Sequence, residues 1–66
     1  MITLYQNEPN SNVWYIIMTP QIAVGIVFMV AQRYDVLFDA SEYYGANAAG
    51  LESLDEALAY VKMVCS

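Results

Sequence analysis

The feature that most limits how this chain can fold is a long uncharged run, which extends from Pro9 to Gln32. Residues 13–31 are mostly apolar, and as a helix they would be long enough to cross a bilayer, which takes about 20 residues. However, a polar Thr-Pro-Gln tripeptide at 19–21 divides the run, and its apolar residues are largely β-branched or aromatic, as strands favour. We therefore expect two buried strands, with a small membrane protein as the alternative.

The two halves of this run are each of strand length, at residues 13–18 and 22–31, with a turn between them. Alternation along the second strand puts its larger residues on one face, and these are Ile22, Val24, Ile26, Phe28 and Val30. The same segment also fits a helix with Thr19 as its N-cap and Pro20 in its first turn. We favour the strand because β-branched residues and an internal glycine disfavour a helix.

A third strand is predicted over residues 34–39. Apolar and acidic residues alternate there, with Tyr34, Val36 and Phe38 on one face and Asp35, Leu37 and Asp39 on the other. One face of the sheet packs under a helix in this scheme. The other face then keeps Val27, Met29 and Leu37, which we expect to contact a second copy of the chain or a target protein.

The clearest local signal is a capping box near the C-terminus, where Ser53 is followed three residues later by Glu56. Apolar residues then recur at helical spacing, and these are Leu54, Ala57, Leu58, Val61 and Val64. The pattern predicts a helix over residues 53–64 that packs on the sheet.

The predicted fold class is α+β: a small three-stranded antiparallel sheet with one C-terminal helix packed on one face. Residues 1–66 form a single domain in this scheme, because the chain is too short for two cores. Residues 2–5 fit a short edge strand. Residues 40–50 are predicted to form a loop, since they contain small residues and two glycines.

The side chains that most catalytic and metal sites use are scarce here. The sequence has no histidine and a single cysteine, Cys65, so we expect no disulfide within the chain, no metal site and no cofactor. Asp35 and Asp39 would lie roughly 13 Å apart along a strand, which is too wide for the carboxylate pair of a glycoside hydrolase. An enzyme is therefore not expected.

The charge balance is strongly acidic, with 7 acidic and 2 basic residues and a formal net charge of −5. Such a chain is repelled by phosphate, so direct binding to nucleic acid is disfavoured. Carboxylates gathered on one side would instead resemble the phosphates of a nucleic-acid strand and would fit a basic groove. The candidates are Asp35, Asp39, Glu42, Glu52, Asp55 and Glu56. The alternative for each is a structural role, such as charge at a helix N-terminus or on a solvated face.

Two adjacent tyrosines, Tyr43 and Tyr44, lie in the predicted loop beside Glu42. Tyrosine is favoured at protein interfaces because it buries a large area at low entropic cost. We expect both to contact a partner, with packing under the loop as the alternative.

In size, acidity and strand-strand-strand-helix plan, the chain resembles the small acidic inhibitors that bacteriophages encode, which include anti-CRISPR proteins and an inhibitor of host RNA polymerase. The local likeness is the helix start, Ser53 to Leu58, with the sequence SLDEAL. The resemblance implies a stoichiometric binder that blocks the nucleic-acid site of a host complex, such as a CRISPR effector. The alternative is a homodimeric interaction module that uses an apolar sheet face.

The N-terminal residues lack the positive charge with which a signal peptide begins. We therefore expect a cytoplasmic protein, which the resemblance would place in a bacterial host cell.

Overall fold

Five strands and one α-helix make up the computed structural model, which describes residues 1–19 and 22–65. The strands are β1 (Ile2–Tyr5), β2 (Val13–Met18), β3 (Ile22–Val30), β4 (Arg33–Phe38) and β5 (Ala48–Leu51). A 3₁₀ turn at Ser41–Tyr43 precedes β5, and α1 (Leu54–Val64) follows it. The strands form one antiparallel sheet in chain order, β1-β2-β3-β4-β5.

The prediction of a three-stranded sheet is wrong, although the class remains α+β. Residues 2–5 pair with β2 as an edge strand. Residues 48–51 pair with β4 at the other edge, although residues 48–50 belong to the predicted loop. The second of these strands carries little apolar signal because it is built from small residues. Its position depends on side chains instead, since the Asp35 carboxylate accepts from the Gly50 amide at 3.0 Å and Asn47 accepts from the Phe38 amide at 2.9 Å.

The central part of the uncharged run is a strand, as predicted, because β3 is hydrogen-bonded on both sides. Residues 22–30 therefore do not form the helix that was the alternative for this segment. The predicted turn includes Pro20 and Gln21, which lie outside the described residues. Among the residues described, no helix is both long enough and apolar enough to cross a bilayer.

The core lies between one face of the sheet and α1, and we call this side of the sheet the core face. Of the residues that the structure describes, six with apolar side chains are buried there, and these are Ile16, Val24, Val27, Val36, Ala57 and Val61. Four of them come from the middle strands β2, β3 and β4, namely Ile16, Val24, Val27 and Val36. Directly paired residues share a face, and Val27 lies opposite Val36 and Trp14.

A two-residue turn sets the register of the β3–β4 hairpin. Ala31 and Gln32 both have positive φ, at 51° and 64°, as a type I′ turn requires. Val30 therefore pairs with Arg33, and Leu37 lies opposite Ile26. The prediction that Val27, Met29 and Leu37 share the uncovered face is wrong, because only Leu37 belongs to that face.

A β-bulge in β3 breaks the alternation that we predicted for this strand. Ile16 of β2 pairs with Gly25, and the next residue, Ile17, pairs with Ala23. Val24 therefore has no residue opposite it on β2. Val24 is 2% exposed and belongs to the core, whereas Ile26 lies on the other face. The two were predicted to share a face, and the extra residue separates them.

The predicted C-terminal helix is confirmed at Leu54–Val64, with Ser53 as its N-cap. The Ser53 hydroxyl accepts from the Glu56 amide at 3.1 Å. The Glu56 carboxylate accepts from the Glu52 amide at 3.0 Å, one residue before the position that a capping box predicts. Ala57 and Val61 are buried, so the helix packs on the sheet along the predicted stripe.

Candidate interaction surfaces

The sheet face opposite α1 is uncovered, and we call it the open face. Pairing aligns Tyr5, Tyr15, Ile26 and Leu37 in one row across four strands. Tyr5 is 53% exposed, Tyr15 40% and Leu37 43%. Ile17 and Phe28, which alternate with this row along β2 and β3, extend the surface on either side. The result is a continuous apolar surface on a rigid sheet.

Within the described strands, the charged side chains of the open face lie on β4. These are Arg33 and Asp35, which precede Leu37 on the same face of the strand. The Asp35 carboxylate is bonded to the Gly50 amide, and Arg33 lies 3.3 Å from the Glu52 carboxylate. Within the described strands, the rest of the face has no ionisable group other than the tyrosine hydroxyls.

The structure brings four of the predicted acidic residues to the junction of β5 and α1. We call this group the acidic junction, and it comprises Asp35, Glu52, Asp55 and Glu56. Arg33 also lies there and pairs with Glu52, whose side chain is 76% exposed. Three of the four carboxylates hold the junction together through the bonds given above, whereas Asp55 makes no hydrogen bond or ion pair with another described residue.

The other two predicted acids lie at the opposite end of the sheet. Asp39 follows β4 directly, and its amide donates to the Val24 carbonyl at 2.9 Å. Glu42 lies in the 3₁₀ turn and is exposed. The carboxylates therefore do not form one surface, because β4 separates the two groups along its length.

The two tyrosines of the loop have different environments. Tyr43 packs against Phe38 with ring centroids 5.3 Å apart, and its hydroxyl donates to the Met18 sulfur at 3.8 Å. Burial raises the pKa of the Tyr43 phenol, and the neighbouring Cys65 thiol raises it further. Tyr44, by contrast, is 94% exposed. The structure thus makes Tyr44 available for a partner and uses Tyr43 to hold the loop on the core.

A groove of about 460 Å³ lies between β1 and the first turns of α1. Its lining is mostly apolar, and it consists of Ile2, Thr3, Leu4, Gln6, Trp14, Leu54, Asp55 and Leu58. Asp55 is the one ionisable side chain in this lining. Within the described residues, no three metal-ligating side chains lie close enough to hold an ion.

The row of the open face is the feature that sequence reasoning missed. The sequence feature that could have revealed this row is the length of the turn between β3 and β4. In a hairpin with a two-residue turn, the numbers of any two paired residues add up to the same odd value. Ile26 must then face Leu37, and Val27 must face Val36. The predicted alternation was correct for β4 and for residues 26–30 of β3, but alternation within a strand does not give the register between strands.

Comparison of the chain with protein-family models, with curated proteins and with solved structures finds no match.

Proposed function

We propose that this chain is a non-enzymatic acidic binding protein that inhibits a nucleic-acid-handling complex in the bacterial cytoplasm. The acidic junction occupies a basic groove of that complex in place of nucleic acid. The observation that carries the proposal is the grouping of Asp35, Glu52, Asp55 and Glu56 at one end of a rigid domain, with Arg33 as the one basic side chain among them.

The arrangement of these carboxylates supports recognition by a basic surface. Asp35 and Glu52 are each held by a partner, so little side-chain entropy is lost when they meet a cation. Both still have oxygen lone pairs for a further bond, because a carboxylate accepts about four hydrogen bonds. Asp55 adds a carboxylate that no described residue bonds. The junction therefore presents a group of negative charges, two of which have partners that restrict their movement, to a basic surface.

The same geometry reduces the set of residues that we propose to contact the groove. Asp39, Glu42 and Tyr44 lie at the other end of the sheet and are assigned no contact in the groove. Tyr43 holds the loop on the core. Binding to the groove therefore depends on the charge of the acidic junction. The acids at the opposite end of the sheet serve as a control for net charge.

The test is displacement of labelled DNA from purified CRISPR effector complexes and from bacterial RNA polymerase. Fluorescence anisotropy of the label measures the displacement. Two double variants remove the same charge from opposite ends: Asp55→Asn with Glu56→Gln at the junction, and Asp39→Asn with Glu42→Gln at the far end. Glutamine keeps the acceptor oxygen that caps the helix, so the junction variant should retain its fold.

We expect the unmodified chain to displace DNA from at least one complex, and to do so less well as salt rises from about 50 to about 300 mM. The junction variant should lose at least about 10-fold in affinity, which corresponds to about 1.4 kcal/mol. The far-end variant should change affinity by less than about 3-fold. If the chain displaced DNA from none of the complexes, the inhibitory role would be contradicted. Equal losses of affinity in the two variants would show that net charge alone, and not the junction, determines binding.

A further inference from the structure

We propose that the open face is the contact surface of a homodimer, in which two copies of this chain pack sheet against sheet. This surface shares Asp35 and Arg33 with the acidic junction, but its apolar row does not belong to the junction, so the dimer does not depend on the inhibitory role. The row of Tyr5, Tyr15, Ile26 and Leu37 lies at its centre. A two-fold axis would set this row against its own copy, as in the aligned packing of two sheets in a β-sandwich.

The charge distribution favours a second copy over a charged partner. Each chain has a net charge of −5, so two copies repel one another least when their contact surface is itself neutral. The described part of the open face meets this condition, since its charged residues, Arg33 and Asp35, are opposite in sign and cancel. The remaining acids lie at the acidic junction, in the 3₁₀ turn, after β4 or in the β1–β2 loop. An isologous contact therefore keeps most of the negative charge at its rim or outside it.

The size of the face also matches what a dimer needs. Five strands about 4.8 Å apart and about six residues long give a face of about 24 by about 20 Å, or about 480 Å² in projection. Pleated side chains increase the accessible area, so two such faces would bury on the order of 1,000–1,400 Å² in total, which reaches the lower range of stable interfaces. The principal extents of the chain, 28 × 24 × 17 Å, are consistent with a sheet of this size.

The small core gives a physical reason for such a contact. In the described part of the chain, six apolar side chains are buried, all of them between the core face and α1. Domains below about 70–80 residues rarely gain enough stability from one core, and oligomerisation is one of the usual compensations. Tyr5, Tyr15 and Leu37 would be covered in the dimer, which would place the sheet between two apolar layers.

Sedimentation velocity of the full chain over a range of concentrations tests the proposal. We expect a reversible equilibrium between a 7.4 kDa chain and a dimer of twice that mass. Leu37→Lys should raise the dimer dissociation constant at least about 30-fold, because it places an unpaired charge in the contact. Tyr15→Lys is a second variant with the same expected effect. Tyr44→Lys is the matched control, since Tyr44 is exposed but lies away from the open face.

The outcomes separate the possible occupants of the face. A dimer that Leu37→Lys weakens, that Tyr44→Lys leaves intact and that added salt does not dissociate would support the proposal. A dimer that both open-face variants leave unchanged, while circular dichroism shows that they are folded, would place the contact elsewhere and overturn it. A chain that stays monomeric up to about 100 μM would also overturn it, because association would then be worth less than about 5.5 kcal/mol, too little for a specific dimer.

Discussion

The two faces of the sheet are both rich in apolar residues, yet they differ in what covers them. On the core face, Val27 and Val36 are fully buried under α1. On the open face, Tyr15 and Leu37 keep 40% and 43% of their surface exposed. Neighbouring residues of one strand, such as Ile26 and Val27, thus have different environments although both are β-branched and apolar.

This difference shows that alternation assigns residues to faces without telling which face is covered. The position of α1 decides that, and α1 packs over β4, β1 and β5 on one side only. A strand of a sheet covered on one side normally places polar residues on the other. The apolar character of the open face is therefore a separate property of this chain, and it requires an explanation beyond folding of the monomer.

The largest expected effect comes from placing the same charged residue on each face in turn. Val27→Lys should unfold the chain, because an unpaired buried charge costs more than about 4 kcal/mol and the whole domain is stable by only about 3–10 kcal/mol. Leu37→Lys at low protein concentration should change the free energy of unfolding by less than about 0.5 kcal/mol. Urea denaturation followed by circular dichroism measures both. Similar losses in the two variants would mean that the faces are equally buried.

A second prediction concerns Gly25, which lies on the core face where β3 and β4 approach closely. A Cβ atom there would meet backbone atoms, namely the Leu37 carbonyl oxygen and, at 2.8 Å, the Phe38 Cα. Gly25→Ala should therefore destabilise the fold by about 2–3 kcal/mol. Gly45→Ala is the matched control, since its Cβ meets nothing within 4 Å and its φ of +87° alone should cost about 1 kcal/mol. A smaller loss at Gly25 than at Gly45 would contradict this account.

The smallest effect is expected at the turn that sets the register of the two faces. Ala31→Asn with Gln32→Gly should stabilise the chain by about 0.5–1 kcal/mol, because this pair adopts positive φ more easily than the present residues. Ala31→Val should have the opposite effect, since a β-branched residue is strained at a φ of 51°. Thermal unfolding of the two variants checks the sign. If Ala31→Val were neutral, the turn would not be of the type described.

Local signals in the sequence predicted several elements well. The capping box at Ser53 located the start of α1, since the hydroxyl-to-amide bond depends on residues three positions apart. The strands at 13–18 and 22–30 followed from runs of β-branched residues. β5 was missed because its position depends on the Asp35 and Asn47 side chains, which are distant in sequence from the amides that they bond.

The candidate sites were predictable to a smaller extent for the same reason. Composition alone indicated an acidic protein without the histidine that general base catalysis most often uses. It did not indicate that Asp35 and Asp55 lie at one end of the sheet and Asp39 at the other. Nor did it separate Tyr43, which packs on Phe38, from the exposed Tyr44.

By itself, the sequence determined the α+β class, the helix start and the net charge, because each depends on residue types or on contacts within a few positions. Only the tertiary structure decided the five-strand order, the bulge at Val24 and the row that joins Tyr15, Ile26 and Leu37. These features depend on register between strands, and a register is set jointly by turn geometry and by packing against α1. The surfaces on which this protein's function depends are therefore properties of strand pairing and not of any single segment.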